Sequence, residues 1–384
     1  MAATDRAAAR LKAAGLTAWR WIKGVTKGVG GGVIATQAAT AATLPEDRAE
    51  LVYHSYDGGG VKATGPALLV RKSLADRVSF SASYYVDAVS NASIDVVTTA
   101  SPFKETRKTY DLGMDWLVRD SIVSLGVYTS REPDYNVDTA SLDVSHEVFG
   151  GMSTVSLGFT RSSDEVLAVN EPNFKERARH WQYRAGLTQV LSPRWIASFN
   201  IEAVSDEGYL GSPYRAARVF GAAVPERMPR TRSSRAIKLR TIYDFGDGPW
   251  RTAVRVEYRH FWDNWDIKAG TVEIGASQYF GGNWLVDVGW RSHAQDKALF
   301  YSDNAQTETR FVTRNRQLST FKSDSLIAKA TWTPRSDWTN KYDLKLTGVF
   351  ERKQFRFDDF TDSRTGAKYE HDANLFQILV SARF

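Results

Sequence analysis

The chain ends on the segment Phe376-Gln377-Ile378-Leu379-Val380-Ser381-Ala382-Arg383-Phe384. Its even-numbered positions carry Phe, Ile, Val, Ala and Phe, whereas its odd-numbered positions carry Gln, Leu, Ser and Arg. Alternation with a period of two places one set of side chains on each face of a β-strand. The segment therefore predicts a final β-strand with one aliphatic and aromatic face.

The same alternation recurs from Asp47 to the C-terminus, and helical spacing of apolar residues is hard to find. Residues 78–87, 110–116 and 254–259 are the clearest examples. In the last of these, Val254, Val256 and Tyr258 alternate with charged residues only. A β-sandwich and a β-barrel could both use such strands, so the connections must decide between them.

The predicted connections alternate between short and long. Short turns fall at 74–77, 119–120, 150–151, 192–194, 246–248, 281–283 and 334–336. Longer polar loops are predicted at 56–63, 88–105, 129–140, 162–179, 206–232, 261–266, 296–318 and 353–372. This layout is typical of outer-membrane barrels. Seven short turns, a first strand near 50–55 and the final strand predict about sixteen strands with both termini in the periplasm.

The predicted fold class is therefore all-β, a single transmembrane antiparallel β-barrel with short periplasmic turns and longer extracellular loops. The terminal strand resembles the recognition signal of the outer-membrane assembly machinery. We accordingly expect a bacterial outer-membrane location, with outer-membrane lipid and that machinery as partners. A soluble sandwich with the same last strand is the alternative.

Composition agrees with a barrel and excludes several other classes. Mean hydropathy is −0.37, and no apolar run reaches the roughly 18 residues that a membrane-spanning helix needs. The 12 Trp and 16 Tyr suit interfacial aromatic girdles. Absence of cysteine excludes disulfides, thiolate metal sites and Cys-ligated clusters. A net charge of +6 without a basic stripe gives little support for nucleic-acid binding.

Residues 1–43 are predicted to be an export signal that is cleaved, leaving 44–384 as the barrel. Basic residues precede a small and apolar run from Val29 to Ala42, and Ala39-Thr40-Ala41 offers a cleavage site. The alternative is a disordered basic arm. The basic residues are Arg6, Arg10, Lys12, Arg20, Lys23 and Lys27.

If the apolar rows face lipid, the alternating charged rows face the lumen. One interpretation is a transverse field that selects solutes or holds an anionic group. The other is an ion-paired filling that closes a narrow barrel. No Ser/His/acid set and no metal-ligand cluster emerges, because the six His are scattered singly, so we expect no enzyme. The predicted lumen residues are Asp87, Asp111, Asp115, Arg240, Arg255, Arg259 and Arg291.

Several short motifs resemble a family of uncharacterised outer-membrane barrels. They are Leu44-Pro45-Glu46-Asp47-Arg48, Tyr53-His54-Ser55-Tyr56-Asp57-Gly58-Gly59-Gly60, Leu69-Val70-Arg71-Lys72, Tyr84-Tyr85-Val86-Asp87 and Ser93-Ile94-Asp95-Val96-Val97-Thr98. The resemblance covers essentially the whole mature chain. Members of that family look to be encoded beside flavin transferases, thioredoxin-like proteins and small lipoproteins, which implies a redox setting.

The segment Asp95-Val96-Val97-Thr98-Thr99-Ala100-Ser101 is similar to the acceptor motif of flavin transferases. The resemblance implies Asp95, Thr98 and Ser101 as flavin-site residues, with covalent FMN on the Ser101 hydroxyl. Thr99 departs from the motif, where Gly is usual, and the predicted topology requires modification before membrane insertion. Two functions stay open: a conduit for an unidentified solute, and a component of an extracytosolic redox assembly that meets a flavin transferase and periplasmic redox proteins.

Overall fold

The computed structural model describes residues 42–91, 103–169, 171–246, 251–335 and 342–384. Sixteen antiparallel strands form one closed barrel, and β10 and β11 form a separate hairpin. The predicted fold class and strand number are therefore confirmed.

The strands are β1 (Arg48–Gly58), β2 (Val61–Leu74), β3 (Val78–Asn91), β4 (Phe103–Val118), β5 (Ser121–Arg131), β6 (Tyr135–Val148), β7 (Ser153–Leu167), β8 (Lys175–Ser192), β9 (Trp195–Gly208), β10 (Ala216–Val219), β11 (Ala222–Pro225), β12 (Thr231–Asp244), β13 (Thr252–Asp263), β14 (Lys268–Phe280), β15 (Trp284–Gln295), β16 (Phe321–Trp332), β17 (Lys345–Thr361) and β18 (Lys368–Arg383).

The barrel closes where the first strand meets the last. Strand β1 pairs antiparallel with β18, so that Leu51 lies opposite Val380 and Arg48 opposite Arg383. Strand β12 pairs with β9, because the β10–β11 hairpin stands outside the ring. A closed ring leaves no unpaired strand edge, which is the condition for a sheet to cross a hydrocarbon layer.

Each strand presents one apolar and one polar face. Phe376, Ile378 and Val380 are 46%, 41% and 38% exposed on the outer surface, whereas Gln377 between them is buried. Phe80 likewise faces outward, beside the buried inner Ser79. These are the faces that the sequence predicts for the last strand and for residues 78–87. Among the described residues, no helix is long and apolar enough to span a membrane.

Exposed aromatic residues gather at the end of the barrel that holds both termini, here called the terminal end. Trp195 donates a hydrogen bond from Nε1 to Thr241 Oγ1 at 2.6 Å. Trp284 and Trp332 stack with ring centroids 6.1 Å apart. Such rings suit the interface between lipid and water, since one edge is apolar and the other is hydrated. Other exposed members are Phe149, Phe245, Phe280 and Phe384.

The opposite end, here called the loop end, differs from the prediction in its strand lengths. The connection predicted at 129–140 is only 132–134, and the one predicted at 353–372 is only 362–367. The outer faces of these strand ends are polar, so the apolar outward row fades although the ladder continues, for example between Arg356 and Glu370. On β17 and β18 the aromatic residues Phe357 and Tyr369 are buried there instead.

Two loop-end connections, 209–230 and 296–320, fold together, and we call them the lid. Isolated bridges join Val219 to Ala305 and Arg227 to Val312. An apolar cluster lies beneath them. Burial there raises the pKa of the Tyr301 hydroxyl. The cluster comprises Trp265, Ile267, Ala298, Tyr301 and Leu318, with Leu210, Met228, Phe261 and Phe300 at its edge.

The lid is also tied to the barrel wall. Gln295 Nε2 donates to the carbonyl of Gln317 at 2.8 Å, and Arg314 Nη2 donates to the carbonyl of Thr361 at 2.6 Å. Arg316 lies over the ring of Tyr369 on β18, 5.4 Å from its centroid. The contacts therefore run from β9 round to β18, and the lid lies over the loop end of that half of the ring.

Candidate functional site

The inner wall of the barrel is the candidate functional site, because it collects the charged rows of the strands. All seven residues predicted for the lumen lie on the inner side of the ring, at the parity opposite to the exposed apolar row. The strand order places β3–β6 across the ring from β12–β15. The three predicted carboxylates therefore occupy one wall, and the four predicted arginines occupy the opposite wall.

On the carboxylate wall, Asp87 is 2% exposed and belongs to a buried cluster on β1, β3 and β4. It lies 2.7 Å from His54 Nε2, accepts a hydrogen bond from the Tyr85 hydroxyl at 2.9 Å, and pairs with Arg107. A solute in the lumen therefore does not reach Asp87. Sequence reasoning missed His54 as its partner, because the two residues are 33 positions apart.

Asp115, on the same wall, pairs with Arg71 and accepts a hydrogen bond from Ser124 Oγ. Asp111 lies two inner positions away from it along β4, with Gly113 between them. These two carboxylates line the wall on β4 at the parity that the sequence indicates. Arg71 on β2 was not predicted as their partner, because cross-strand neighbours are fixed by register and not by sequence distance.

On the opposite wall, four inner side chains form a row across neighbouring strands. Arg240 lies opposite Glu257, Glu257 opposite Glu273, and Glu273 opposite Arg291. The row thus has a guanidinium at each end and two carboxylates between. Arg255 follows one inner position from Glu257, towards the terminal end of β13.

The carboxylates of this wall are already engaged by other cations. Lys238 Nζ lies 3.0 Å from Glu257, and Arg255 Nη2 lies 3.0 Å from Glu273. Arg259 lies 3.7 Å from Glu202, which projects from β9. In the described ranges, no carboxylate oxygen comes within 4.0 Å of the side-chain nitrogens of Arg240 or Arg291. The arginine wall therefore carries two guanidiniums that no carboxylate neutralises at short range.

Inner side chains differ in their access to water. Arg184 and Asp143, an ion pair 2.7 Å long on β8 and β6, are 33% and 39% exposed. Arg71 and Asp115 are only 15% and 13% exposed. A side chain inside a closed ring is accessible only where the lumen beside it is wide enough for water. The lumen is therefore open beside β6 and β8 and more tightly lined beside β2 and β4.

Glycines on the inner face form two pairs. Gly113 pairs with Gly126 on β4 and β5, and Gly275 pairs with Gly289 on β14 and β15. The two strand pairs lie across the ring from each other. Neighbouring side chains use most of this room: Arg255 lies over Gly275, where a Cβ would come within 2.7 Å of Nη2. Gly289 leaves the wall open, because a Cβ there would meet no heavy atom closer than 3.6 Å.

The flavin-site prediction concerns a different part of the chain. Asp95, Thr98 and Ser101 fall in 92–102, which lies outside the described residues. That segment connects β3 to β4 at the loop end. In the described ranges, no group of three or more His, Asp or Glu side chains is arranged to hold a metal ion.

The comparisons with known proteins agree with this architecture. A family model described as "Protein of unknown function (DUF3570)" matches residues 48–331. The chain belongs to this family. The match to DUF3570 extends from the start of β1 to the penultimate residue of β16. No curated protein sequence matches.

Solved structures show what the DUF3570 fold resembles. A "bacterial polysaccharide outer membrane secretin" superposes with a TM-score of 0.53 at 10% identity, covering 89% of this chain and 100% of the other. CdiB from Acinetobacter baumannii gives 0.49 at 11% identity, over 88% and 60% of the two chains. A Pseudomonas aeruginosa FadL homologue gives 0.41 at 11%, over 91% and 93%. At 10% identity, the superposition on the outer-membrane secretin shows a shared fold and nothing about cargo.

Proposed function

We propose that this chain is an outer-membrane channel through which small polar solutes cross. The observation that carries the proposal is the accessibility of Arg184 and Asp143, inward-facing charges inside a closed ring. An ion-paired filling would bury such residues, because charges withdrawn from water need full compensation. Sixteen-stranded barrels are also wide enough to leave an aqueous lumen.

The location is part of the proposal. The outward apolar row and the aromatic belt at the terminal end suit a barrel in lipid. We propose that residues 1–43 direct export, and that the outer-membrane assembly machinery inserts the barrel through its last strand. The redox alternative rests on the Asp95–Ser101 motif and on the redox setting that the family resemblance implies, and Ser101 provides its test.

Two glycines provide a matched test of the channel. A Cβ on Gly289 would point into the lumen and meet no heavy atom closer than 3.6 Å, and one on Gly348 would point outward and meet nothing within 4 Å. Gly289→Trp should place an indole in the lumen and lower single-channel conductance in planar bilayers, since it narrows the path. Gly348→Trp should place the same indole in lipid and leave the conductance unchanged.

The outcomes separate a channel from a filled barrel. Wild-type protein should give discrete conductance steps in potassium chloride, and heat-unfolded protein should give none. Absence of steps from correctly folded wild-type barrels would contradict the proposal. Equal conductance in Gly289→Trp and wild type would show that ions do not pass along the inner wall of β15.

A further inference from the structure

We propose that the lumen binds anionic solutes bearing carboxylate or phosphate groups, at a site formed by Arg240 and Arg291 on the inner wall of β12–β15. This inference rests on the proposed channel, and it names the class of solute that the channel prefers. Three observations support it: the balance of charge around these two residues, the chemistry of the two guanidiniums, and the recess at Gly289 beside Arg291.

Around the row that holds Arg240 and Arg291, inner cations outnumber inner carboxylates. Five cations project there from β12, β13 and β15, namely Lys238, Arg240, Arg255, Arg259 and Arg291. The other inner ion pairs of these strands, Arg232 with Asp263 and Asp287 with Lys329 of β16, each balance themselves. Three carboxylates, Glu202, Glu257 and Glu273, each lie within 4 Å of one of the other three cations. Arg240 and Arg291 are therefore the cations left over. A guanidinium held in a membrane-enclosed wall without a carboxylate is costly, and an anion in the lumen compensates it.

The chemistry of the two side chains defines the ligand class. A guanidinium presents a planar fork of N–H donors that matches the paired oxygens of a carboxylate or a phosphate. Arg240 Nε is buried and has no hydrogen-bond partner among the described residues, so its hydrogen-bonding capacity is not used within the wall. Both guanidiniums keep their charge at any physiological pH.

The backbone leaves room for such a ligand. Arg240 and Arg291 lie three strands apart in one register row, which separates their Cα atoms by about 14 Å at the usual strand spacing. Glu257 and Glu273 lie between them in that row and are engaged by Lys238 and Arg255. In the neighbouring inner row, Arg255 covers Gly275, whereas Gly289, two residues before Arg291 on β15, leaves a recess, since a Cβ there would meet no heavy atom closer than 3.6 Å. A small anion can therefore approach Arg291 from the lumen beside Gly289.

The facing wall contributes little to this preference. Asp111 and Asp115 line β4, across the ring from β14, and Asp115 is already paired with Arg71. On the arginine wall, Glu257 and Glu273 are likewise engaged by Lys238 and Arg255. The attraction of a solute anion therefore depends on Arg240 and Arg291.

Ion selectivity tests the inference. The reversal potential across a potassium chloride gradient should show wild-type channels to be anion-selective. The double variant R240Q/R291Q should lower the chloride-to-potassium permeability ratio by about threefold or more, because a unit charge a few ångströms from the path changes local ion concentration by that order even in water. The matched control is R161Q, since Arg161 is exposed on the outer face between the outward Phe159 and Ser163.

Two probes distinguish the carboxylate and phosphate groups. Inorganic phosphate and succinate, added separately, should each reduce the chloride current of wild-type channels and lose that effect in R240Q/R291Q. If only one probe acts, the site is specific for that group. If neither acts on wild-type channels, or if R161Q shifts selectivity as much as the double variant does, the inference is wrong.

Failure of this inference is distinct from failure of the proposed function. Wild-type barrels that give no conductance steps contradict the channel itself. Wild-type barrels that conduct without preferring chloride, and that phosphate and succinate do not affect, contradict only the anion site. Folding of the double variant is checked by heat-modifiable migration, because a closed barrel migrates differently before and after unfolding.

Discussion

At the scale of single residues, the face on which a side chain lies decides what it can do. Arg161 and Arg184 lie on the adjacent strands β7 and β8, yet one is exposed on the outer surface and the other lines the lumen beside Asp143. Asp87 shows the limit of this rule. It lies on the inner side, but contacts with His54, Tyr85 and Arg107 bury it. Its charge therefore stabilises the wall and is not accessible to a solute in the lumen.

Ser101 is the residue on which the redox alternative depends. If a flavin transferase modifies it in the native host, then Ser101→Ala should abolish in-gel flavin fluorescence and the mass increment of FMN. Barrel assembly should be unchanged, because a single loop hydroxyl contributes little to stability. Intact mass of protein purified from native membranes is the measurement. An unmodified peptide covering 88–105, in a host with active transferase, would remove this hypothesis.

At the scale of elements, the lid is tied to the wall at the loop end of the barrel. Arg314 is its main tie to the wall. Its Nε donates to Asp303 Oδ1 at 2.8 Å, its Nη2 donates to the Thr361 carbonyl, and its guanidinium lies 4.3 Å from the ring centroid of Phe360. One side chain thus joins residues 296–320 to the end of β17.

Arg314→Ala should therefore loosen the lid without unfolding the barrel. Charge-assisted hydrogen bonds contribute roughly 1.5–3 kcal/mol each, so local opening should become frequent. Hydrogen exchange of residues 296–320 should accelerate, and single-channel conductance should rise or show fewer closures. Arg310→Ala is the control, because Arg310 is exposed on the same loop and stacks only on Phe311. Equal exchange in both variants would show that Arg314 does not hold the lid.

The elements also show what the sequence could and could not predict. Alternation identified the strands and their faces, because one side of a barrel wall is apolar and faces outward, whereas the other side is polar and faces the lumen. The ends of β17 and β18 were missed because their outer faces are polar, whereas Phe357 and Tyr369 are buried in an aromatic cluster. The lid was not predicted to be a folded unit, because Val312 and Leu318 are buried by chain that is distant in sequence. Which carboxylates come close to Arg240 could likewise not be predicted, because its cross-strand neighbours are set by the register of β12 and β13.

At the scale of the whole molecule, closure depends on the terminal strand. Phe384 is 50% exposed at the terminal end, and Lys72 lies over its ring at 5.0 Å. Its backbone N–H also donates to the carbonyl of Asp47. The last residue thus joins the chain ends on either side of the seam between β1 and β18.

Deleting Phe384 should lower the amount of assembled barrel and increase degradation before assembly, if the terminal aromatic residue is the assembly signal. The loss of assembled barrel should be larger than the loss of one ring contact in the folded protein would cause, since a single surface ring contributes little to stability. Heat-modifiable protein in isolated outer membranes is the measurement, and Phe149→Ala, at another exposed aromatic of the terminal end, is the control. Normal assembly after the deletion would contradict the predicted signal.

The seam also sets the order in which the wall can form. Every other pairing in the ring joins strands that are successive or separated only by the β10–β11 hairpin, so each closes a short segment of chain. Pairing of Leu51 with Val380 encloses nearly the whole sequence. Loop-closure entropy grows with the logarithm of the enclosed length, and contacts of long sequence separation form late. Ring closure is therefore expected to be the slow step of folding, after a curved open sheet has already formed from local hairpins.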